Sequence, residues 1–282
     1  MKRTTYIIIG LFVLGLLFIP VLLRTPAGEK AARRLSMEGE RTEIEMAGIR
    51  HVKIVEKLGK IDKDDIGIAG QLDVQASPAL GKSIFAYPKS EYLNVIQEGD
   101  CLLIEVDMDN EDLSQIVRSL DKGHRLILDG LNLELKADST LLTGVQTCAL
   151  PISDSTLLSI ENRAARVDIN IRKLCLDSLF LFNEEWQDIS LDSCRFRSLD
   201  IRGKRLSLKA DQVKVTDYYE ELGTFRSRET TQFMVENLYL SGKDSHKYRP
   251  GINCNRIFWS PQVRDAELEL TLNQKSEIIF NR

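Results

Sequence analysis

At 282 residues and 43% hydrophobic side chains, the chain is long enough for one large domain or two modest ones around a sizeable core. Its net charge of −4 is small beside 38 basic and 42 acidic residues that interleave along the chain, which excludes a global field favouring nucleic acid as partner. Cys101, Cys148, Cys175, Cys194 and Cys254 form no C-x-x-C pair, and His51, His124 and His246 lie far apart, so no metal centre and no cofactor is expected.

Lys2 and Arg3 precede an uncharged run from Thr4 to Leu23, long enough to cross a bilayer as a helix and apolar on every face. A cleaved signal peptide is the rival reading. The run ends in Val21-Leu22-Leu23-Arg24 rather than a small-x-small site, which favours an uncleaved signal anchor, and no cysteine follows for acylation. Membrane lipid is therefore an expected partner of residues 4–23. Arg24, Lys30, Arg33 and Arg34 oppose the simple positive-inside assignment from Lys2 and Arg3. The expectation is still a single-pass protein with a short basic tail inside and an extracytoplasmic (periplasmic) body. Residues 25–41 read as a juxtamembrane tether, 42–124 as a β-rich N-terminal part, and 125–282 as a repetitive body with a C-terminal cap.

From Thr42 apolar residues come in short runs: Ile44 and Met46, then Ile49, Val52 and Ile54. Gly59, Gly67, Gly70, Pro78 and Gly81 punctuate them, which predicts strands joined by turns. Glu98-Gly99-Asp100 reads as a turn into a strand over Cys101–Val106. Leu113, Ile116, Val117 and Leu120 recur at helical spacing and predict one short helix over 111–120.

After Gly123 the period becomes two, in Leu126, Leu128, Leu131, Leu133 and Leu135, the mark of strands burying one face. Phrases recur: LELKADS (Leu133 to Ser139) returns as LSLKADQ (Leu206 to Gln212), and LCLDS (Leu174 to Ser178) as ISLDS (Ile189 to Ser193). Repeat spacings of roughly fifteen to twenty residues predict a mainly β body, a β-solenoid or single-stranded β-helix-like stack with apolar side chains along its axis. An antiparallel sandwich would alternate in the same way but has no need of recurring phrases.

Thr143 to Ile152, TGVQTCALPI, resembles the translation of a sequencing-library adapter. Its flanks repeat, Asp138-Ser139-Thr140-Leu141-Leu142 returning as Asp154-Ser155-Thr156-Leu157-Leu158. Thr143–Leu158 thus reads as an insertion foreign to the fold, and Cys148 enters no functional argument.

Val52-Lys53-Ile54, Leu72-Asp73-Val74 and Gly99-Asp100-Cys101-Leu102-Leu103-Ile104, followed by the repetitive strands, resemble in their order the GIN-domain family of envelope proteins described as autotransporter adhesin heads. The resemblance covers Ile49 to Leu240. It implies a β-solenoid-type fold and an exported, surface-associated or periplasmic role, and it carries no catalytic residues. Where the family has Gly-Ser-Gly turns, this chain has Lys136-Ala137-Asp138, Asp177-Ser178 and Asp192-Ser193.

Cys175 and Cys194 form a disulfide if adjacent rungs bring them into register, and are buried thiols otherwise. Asp177, Asp192, Asp200 and Asp211 recur near strand ends, as a carboxylate ladder or simply as turn formers. Aromatic residues concentrate late in the chain. Tyr218, Tyr219, Tyr239, Tyr248 and Trp259 mark either a ligand face or a cap over the last rung. The resulting expectation is a non-enzymatic, membrane-anchored, adhesin-like binding or structural module whose partner is an envelope protein or a glycan. The alternative is a polysaccharide hydrolase or lyase on the same scaffold.

Overall fold

Short runs of alternating apolar residues become strands that each bury one face, and in a computed structural model these strands assemble into two mixed, open sheets around one core. The structure describes residues 32–59, 61–76, 82–121, 124–137, 157–164, 166–184, 186–221, 224–242, 247–248, 252–263, 267–269 and 277–280. The expected membrane span at 4–23 and most of the expected insertion lie outside them. Among the described residues no helix is long and apolar enough to cross a membrane.

Sheet A holds β1 (Ala32–Ser36), β2 (Arg41–Met46), β4 (Ile66–Ala76), β5 (Ser83–Pro88), β8 (Arg125–Ala137), β10 (Val167–Arg172), β12 (Asp188–Asp192), β14 (Leu206–Asp211) and β16 (Phe225–Thr231). Sheet B holds β3 (His51–Lys57), β6 (Leu93–Glu98), β7 (Cys101–Asp107), β9 (Ser159–Asn162), β11 (Cys175–Asn183), β13 (Arg195–Gly203), β15 (Lys214–Glu221), β17 (Met234–Gly242), β19 (Asn253–Pro261) and β21 (Glu277–Phe280). A small third sheet pairs β18 (Lys247–Tyr248) with β20 (Glu267–Leu268). Antiparallel pairs occur at the start, where β2 and β5 extend sheet A and β6 folds back on β7.

From β10 to β17 the chain passes alternately between the sheets, and each strand up to β15 pairs in parallel with the next strand of its own sheet. Leu176, Phe196, Val215, Val235 and Cys254 are successive partners, 19 or 20 residues apart. The turn from sheet A to sheet B is the same on every rung. Lys173, Ser193, Gln212 and Gln232 take left-handed backbone conformations with φ of 54°, 55°, 53° and 52°. The following residue, Leu174, Cys194, Val213 or Phe233, drops into the core. The ladder continues around this corner: the N–H of Lys173 donates to the carbonyl of Asp192, and that of Ser193 to Asp211, both at 2.9 Å.

Among the described residues one helix, α1 (Glu111–Ser119), forms where the sequence places it. Asn110 caps it by accepting the Asp112 N–H at 2.8 Å, and Leu113 enters the core. Three sequence expectations need correction. The tether is shorter than 25–41, because Ala32–Ser36 pairs with Arg125–Asp129 as a strand. The sheets also run unbroken across position 124, since β10 pairs with β4 and β9 with β3. Finally, the recurring phrases are out of register. LCLDS runs along β11 in sheet B and ISLDS along β12 in sheet A, so their likeness reflects shared alternation rather than equivalent rungs.

The spacing of the neighbouring rung bears on the insertion expected from the sequence. Lys136 and Ser159 are register equivalents of Arg172 and Phe180, which lie eight residues apart in the next rung. Positions 136 and 159 are 23 residues apart, and removing Thr143–Leu158 reduces this to seven. Leu157 is buried, and the N–H of Leu158 donates to Arg50 at 2.6 Å. After the deletion Leu141 and Leu142 supply the same pair. The deleted chain is expected to fold and to gain about 1 kcal/mol from the shorter closure. A urea titration measures this, and loss of the cooperative transition would show that the insertion belongs to the fold.

Candidate functional site

Each sheet B strand of the later rungs is kinked. Leu176 pairs with Phe196 and Ser178 with Ser198, but Asp177 and Arg197 between them leave the ladder. Buried positions are accordingly three apart at this point: Phe196 and Leu199, Val215 and Tyr218, Val235 and Leu238, Cys254 and Ile257. A kink repeated in register on stacked strands becomes a crease across them. At β13, β15, β17 and β19 the crease is a groove of about 490 Å³. Arg195, Lys214, Met234 and Asn253 line one wall, and Thr216, Glu236 and Asn255 the other. Phe196, Val215, Val235 and Cys254 form the floor. Toward β11 the same crease position carries the ion pair of Arg197 with Asp177 at 2.5 Å. Four strands make the groove roughly 14 Å long at the usual strand spacing. Met234, 49% exposed, gives it an apolar contact beside mixed hydrogen-bonding groups.

Next to the crease the structure divides the aromatic residues singled out by sequence. Tyr219 and Tyr239 face outward and stack at 4.6 Å, and Tyr239 stacks on Phe258 at 4.5 Å, both pairs within 9° of parallel. Tyr218 and Trp259 face inward and are buried in the core, which removes them from any ligand face. The side chain of Tyr248 lies outside the described residues. Because each ladder ring covers the face of its neighbour, solvent meets ring edges and phenol groups rather than open π faces. Beside the ladder Asn237 donates to Asp217 at 2.8 Å and Arg256 to Asn237 at 3.3 Å. Partial burial, then the Asp217 charge, pushes the Tyr219 and Tyr239 phenols upward, so both stay protonated.

Cys175 and Cys194 are thiols rather than a disulfide. Register places Cys175 beside Arg195, while Cys194 follows the corner residue Ser193 and turns into the core, donating to Asp192 O at 3.1 Å. Burial raises the thiols of Cys194 and Cys254 to about 11, which makes both poor nucleophiles. Two members of the carboxylate ladder are taken up in ion pairs, Arg202 holding Asp200 through two nitrogens and Arg197 holding Asp177, while Asp192 accepts from the Ser193 hydroxyl at 2.8 Å. Among the described residues no group of three metal-ligating side chains comes together.

One constellation escaped sequence reading. His51 and Ser159 are neighbours across β3 and β9, and the Ser159 hydroxyl lies 2.8 Å from His51 Nδ1. His51 Nε2 is 3.9 Å from the Asp100 carboxylate. This serine–histidine–aspartate row lacks the rest of an acyl-transfer site. Ser159 is only 6% exposed, and its own N–H and those of His51 and Phe180 are spent on carbonyls of the ladder, so none of these three is left to hold an oxyanion. The residues lie 108 positions apart in sequence, so only the strand register could reveal them.

No family model matches the chain. No curated protein matches it either. Among solved structures, a "putative adhesin" from Parabacteroides distasonis ATCC 8503 has a TM-score of 0.44 at 8% identity, over 88% of this chain and 98% of that one. A "putative lipid binding protein" from the same organism has a TM-score of 0.38 at 10% identity, over 89% of this chain and 100% of that one. A "putative adhesin" from Parabacteroides merdae ATCC 43184 reaches 0.30 at 10% identity, over 88% and 99%. Likenesses this remote carry no argument about what the chain does.

Proposed function

We propose that the chain is a membrane-anchored, extracytoplasmic and non-enzymatic binding module, adhesin-like in character. Its body is a solenoid whose creased face holds a linear envelope glycan. The groove across β13, β15, β17 and β19 is the observation that carries this reading. A trough crossing the rungs suits an extended polymer. Arg195, Lys214, Glu236 and Asn255 offer donors and acceptors at intervals, and Met234 gives an apolar stop. The solenoid part of the reading is supported by the 19- or 20-residue step and the repeated corner. The anchor rests on the uncharged run at 4–23. Cleavage of a glycosidic bond calls for two carboxylates flanking it, and among the described residues Glu236 is the one carboxylate lining the groove, which favours binding over hydrolysis.

The test uses full-length protein in nanodiscs with linear fragments of envelope polysaccharide. Lys214→Glu and Met234→Glu, both on exposed groove positions, are expected to weaken binding at least about tenfold, or roughly 1.4 kcal/mol, with the fold unchanged. Equal binding by these variants would discard the groove, and shortening of the fragments would restore the hydrolase. Protease accessibility of the body in intact cells, spheroplasts and lysates tests location. Protection in spheroplasts with digestion on lysis would place the body inside.

A further inference from the structure

The corner where sheet B strands return to sheet A carries a different surface. By the register of β10, β12 and β14, Arg166, Trp186 and Arg205 hold the same corner position on consecutive rungs. Arg226 joins them through a bulge: Leu206 pairs with Phe225 but Ser207 pairs with Ser227, leaving Arg226 as the extra residue. Bulges re-aim side chains. Here the Arg226 guanidinium lies 4.7 Å from the centre of the Trp186 ring, and that of Arg205 lies 5.7 Å from it. Trp186 is 52% exposed.

Arg202 and Arg228, on the same rungs, are bound to Asp200 and Glu220. Arg166, Lys204, Arg205 and Arg226 form no ion pair among the described residues. A guanidinium beside an aromatic ring keeps its N–H groups in the plane of the fork, oriented for bidentate contact with a phosphate. An exposed tryptophan among arginines is also the composition found at the headgroup level of membranes.

We propose that this corner rests on the anionic phospholipid surface of the membrane that anchors the chain, with Arg205 and Arg226 on lipid phosphates and Trp186 between them. The proposal rests on the anchor reading given above. It draws on where the chain joins the body. β1 pairs with Arg125–Asp129, the part of β8 that precedes the segment aligned with β10, so the chain arrives on the side of this corner. Residues 24–31 are all that separate β1 from the run at 4–23, a reach of at most roughly 28 Å. Trp186 stands at the head of β12, three strands from β8, or about 14 Å. The corner therefore stays within reach of the bilayer. Asp62, Asp64 and Asp65 occupy the earlier end of the same side, between β3 and β4, and are repelled by the surface that attracts the arginines. The contact accordingly tips toward the later rungs, where Glu184 and Asp188 flank Trp186 in the chain as opposing charges.

The experiment uses the full chain with vesicles of phosphatidylcholine alone or mixed with phosphatidylglycerol. Flotation and alkaline extraction report insertion, and quenching by brominated lipid reports Trp186, with Trp186→Phe subtracting buried Trp259. Trp186 is expected to be quenched in the anionic vesicles and not in the neutral ones. Arg205→Glu with Arg226→Glu is expected to reduce that contact on the order of tenfold or more, with insertion and circular dichroism unchanged. Quenching that ignores lipid charge, or no quenching in an inserted protein, overturns the proposal and leaves the anchor standing. A protein that resists insertion but floats with anionic vesicles through Trp186 removes the anchor and keeps the surface, whereas one that floats with neither vesicle removes both. Binding of a soluble acidic polysaccharide at these arginines, without response to anionic vesicles, assigns the corner to a polymer and overturns the proposal.

Discussion

Replacing Glu220 alone by leucine is expected to cost about 3–5 kcal/mol, whereas replacing Glu220 and Arg228 together by leucine is expected to be neutral or stabilising. Glu220 occupies an inward column whose register partners are Ile201 and Leu240, and Arg228 one whose partner is Leu208. The two charges meet across the core, with the Arg228 guanidinium bonded to Glu220 Oε1 and lying 4.6 Å from the Phe225 ring. The site is incompletely satisfied. Glu220 Oε2, Arg228 Nε and the Tyr218 hydroxyl have no hydrogen-bond partner among the described residues. Removing one charge leaves the other buried, while removing both restores the aliphatic columns of the neighbouring rungs. Urea unfolding of both single variants and the double variant measures the coupling, and a double variant as unstable as either single one would refute the account. The site also has a pH signature. Burial raises the Glu220 carboxyl, and the Arg228 charge offsets this only in part. Its contribution to stability is therefore full below the ordinary carboxylate range and falls as pH rises toward the raised value. The double variant should lose that slope.

The alternation of Leu126 to Leu135 and of the phrases after Val167 was legible because a strand with one buried face must alternate. Register was not legible. Rungs repeat their geometry without repeating their residues: Leu174, Cys194, Val213 and Phe233 fill one corner position, and Lys173, Ser193, Gln212 and Gln232 another. The corner backbone is left-handed, yet no glycine stands there to announce it. Hydrogen bonds to the next rung hold Lys173, Ser193 and Gln212 in a conformation that a lone turn would assign to glycine or asparagine. Local propensity is overruled by stacking.

The site was harder still to read. Tyr218 and Tyr219 are adjacent and alike in sequence, but a period of two sends one to the core and the other to solvent. The groove comes from a kink that recurs at Asp177, Arg197, Thr216, Glu236 and Asn255, five positions with no shared chemistry, so no motif exposes it. Trp186 did carry a signal as a large aromatic among charges, but its partners Arg205 and Arg226 become neighbours only through the register and the bulge.

Gly70→Ala is expected to destabilise by at least about 3 kcal/mol, and Gly67→Ala, three residues earlier in the same strand, by less than about 1 kcal/mol. The sequence suggests turn glycines at both positions, but both lie inside β4. A methyl group at Gly70 would sit 2.3 Å from Leu131 O and 2.9 Å from its carbonyl carbon, backbone atoms that cannot move aside separately from β8. At Gly67 the nearest atom, 2.6 Å away, is the terminal Nη2 of Arg125, a side-chain end whose displacement costs its hydrogen bond to Ile66 O but leaves the strand pairing intact. The close approach has a cause. Ala69 pairs with Asp129 but Gly70 with Leu131, so Gly130 is an extra residue at a bulge, with φ of 88°. At this bulge β8 changes neighbours, taking β1 along Arg125–Asp129 and β5 along Glu134–Lys136. The N–H of Gly70 also donates to Arg166 at 3.1 Å, which ties the bulge to the first regular rung. Forcing β4 from β8 at this point would loosen the strand through which the chain joins the body, together with the start of the stack. Equal midpoints for the two variants in urea would show that the bulge can absorb a side chain and that the join does not depend on glycine.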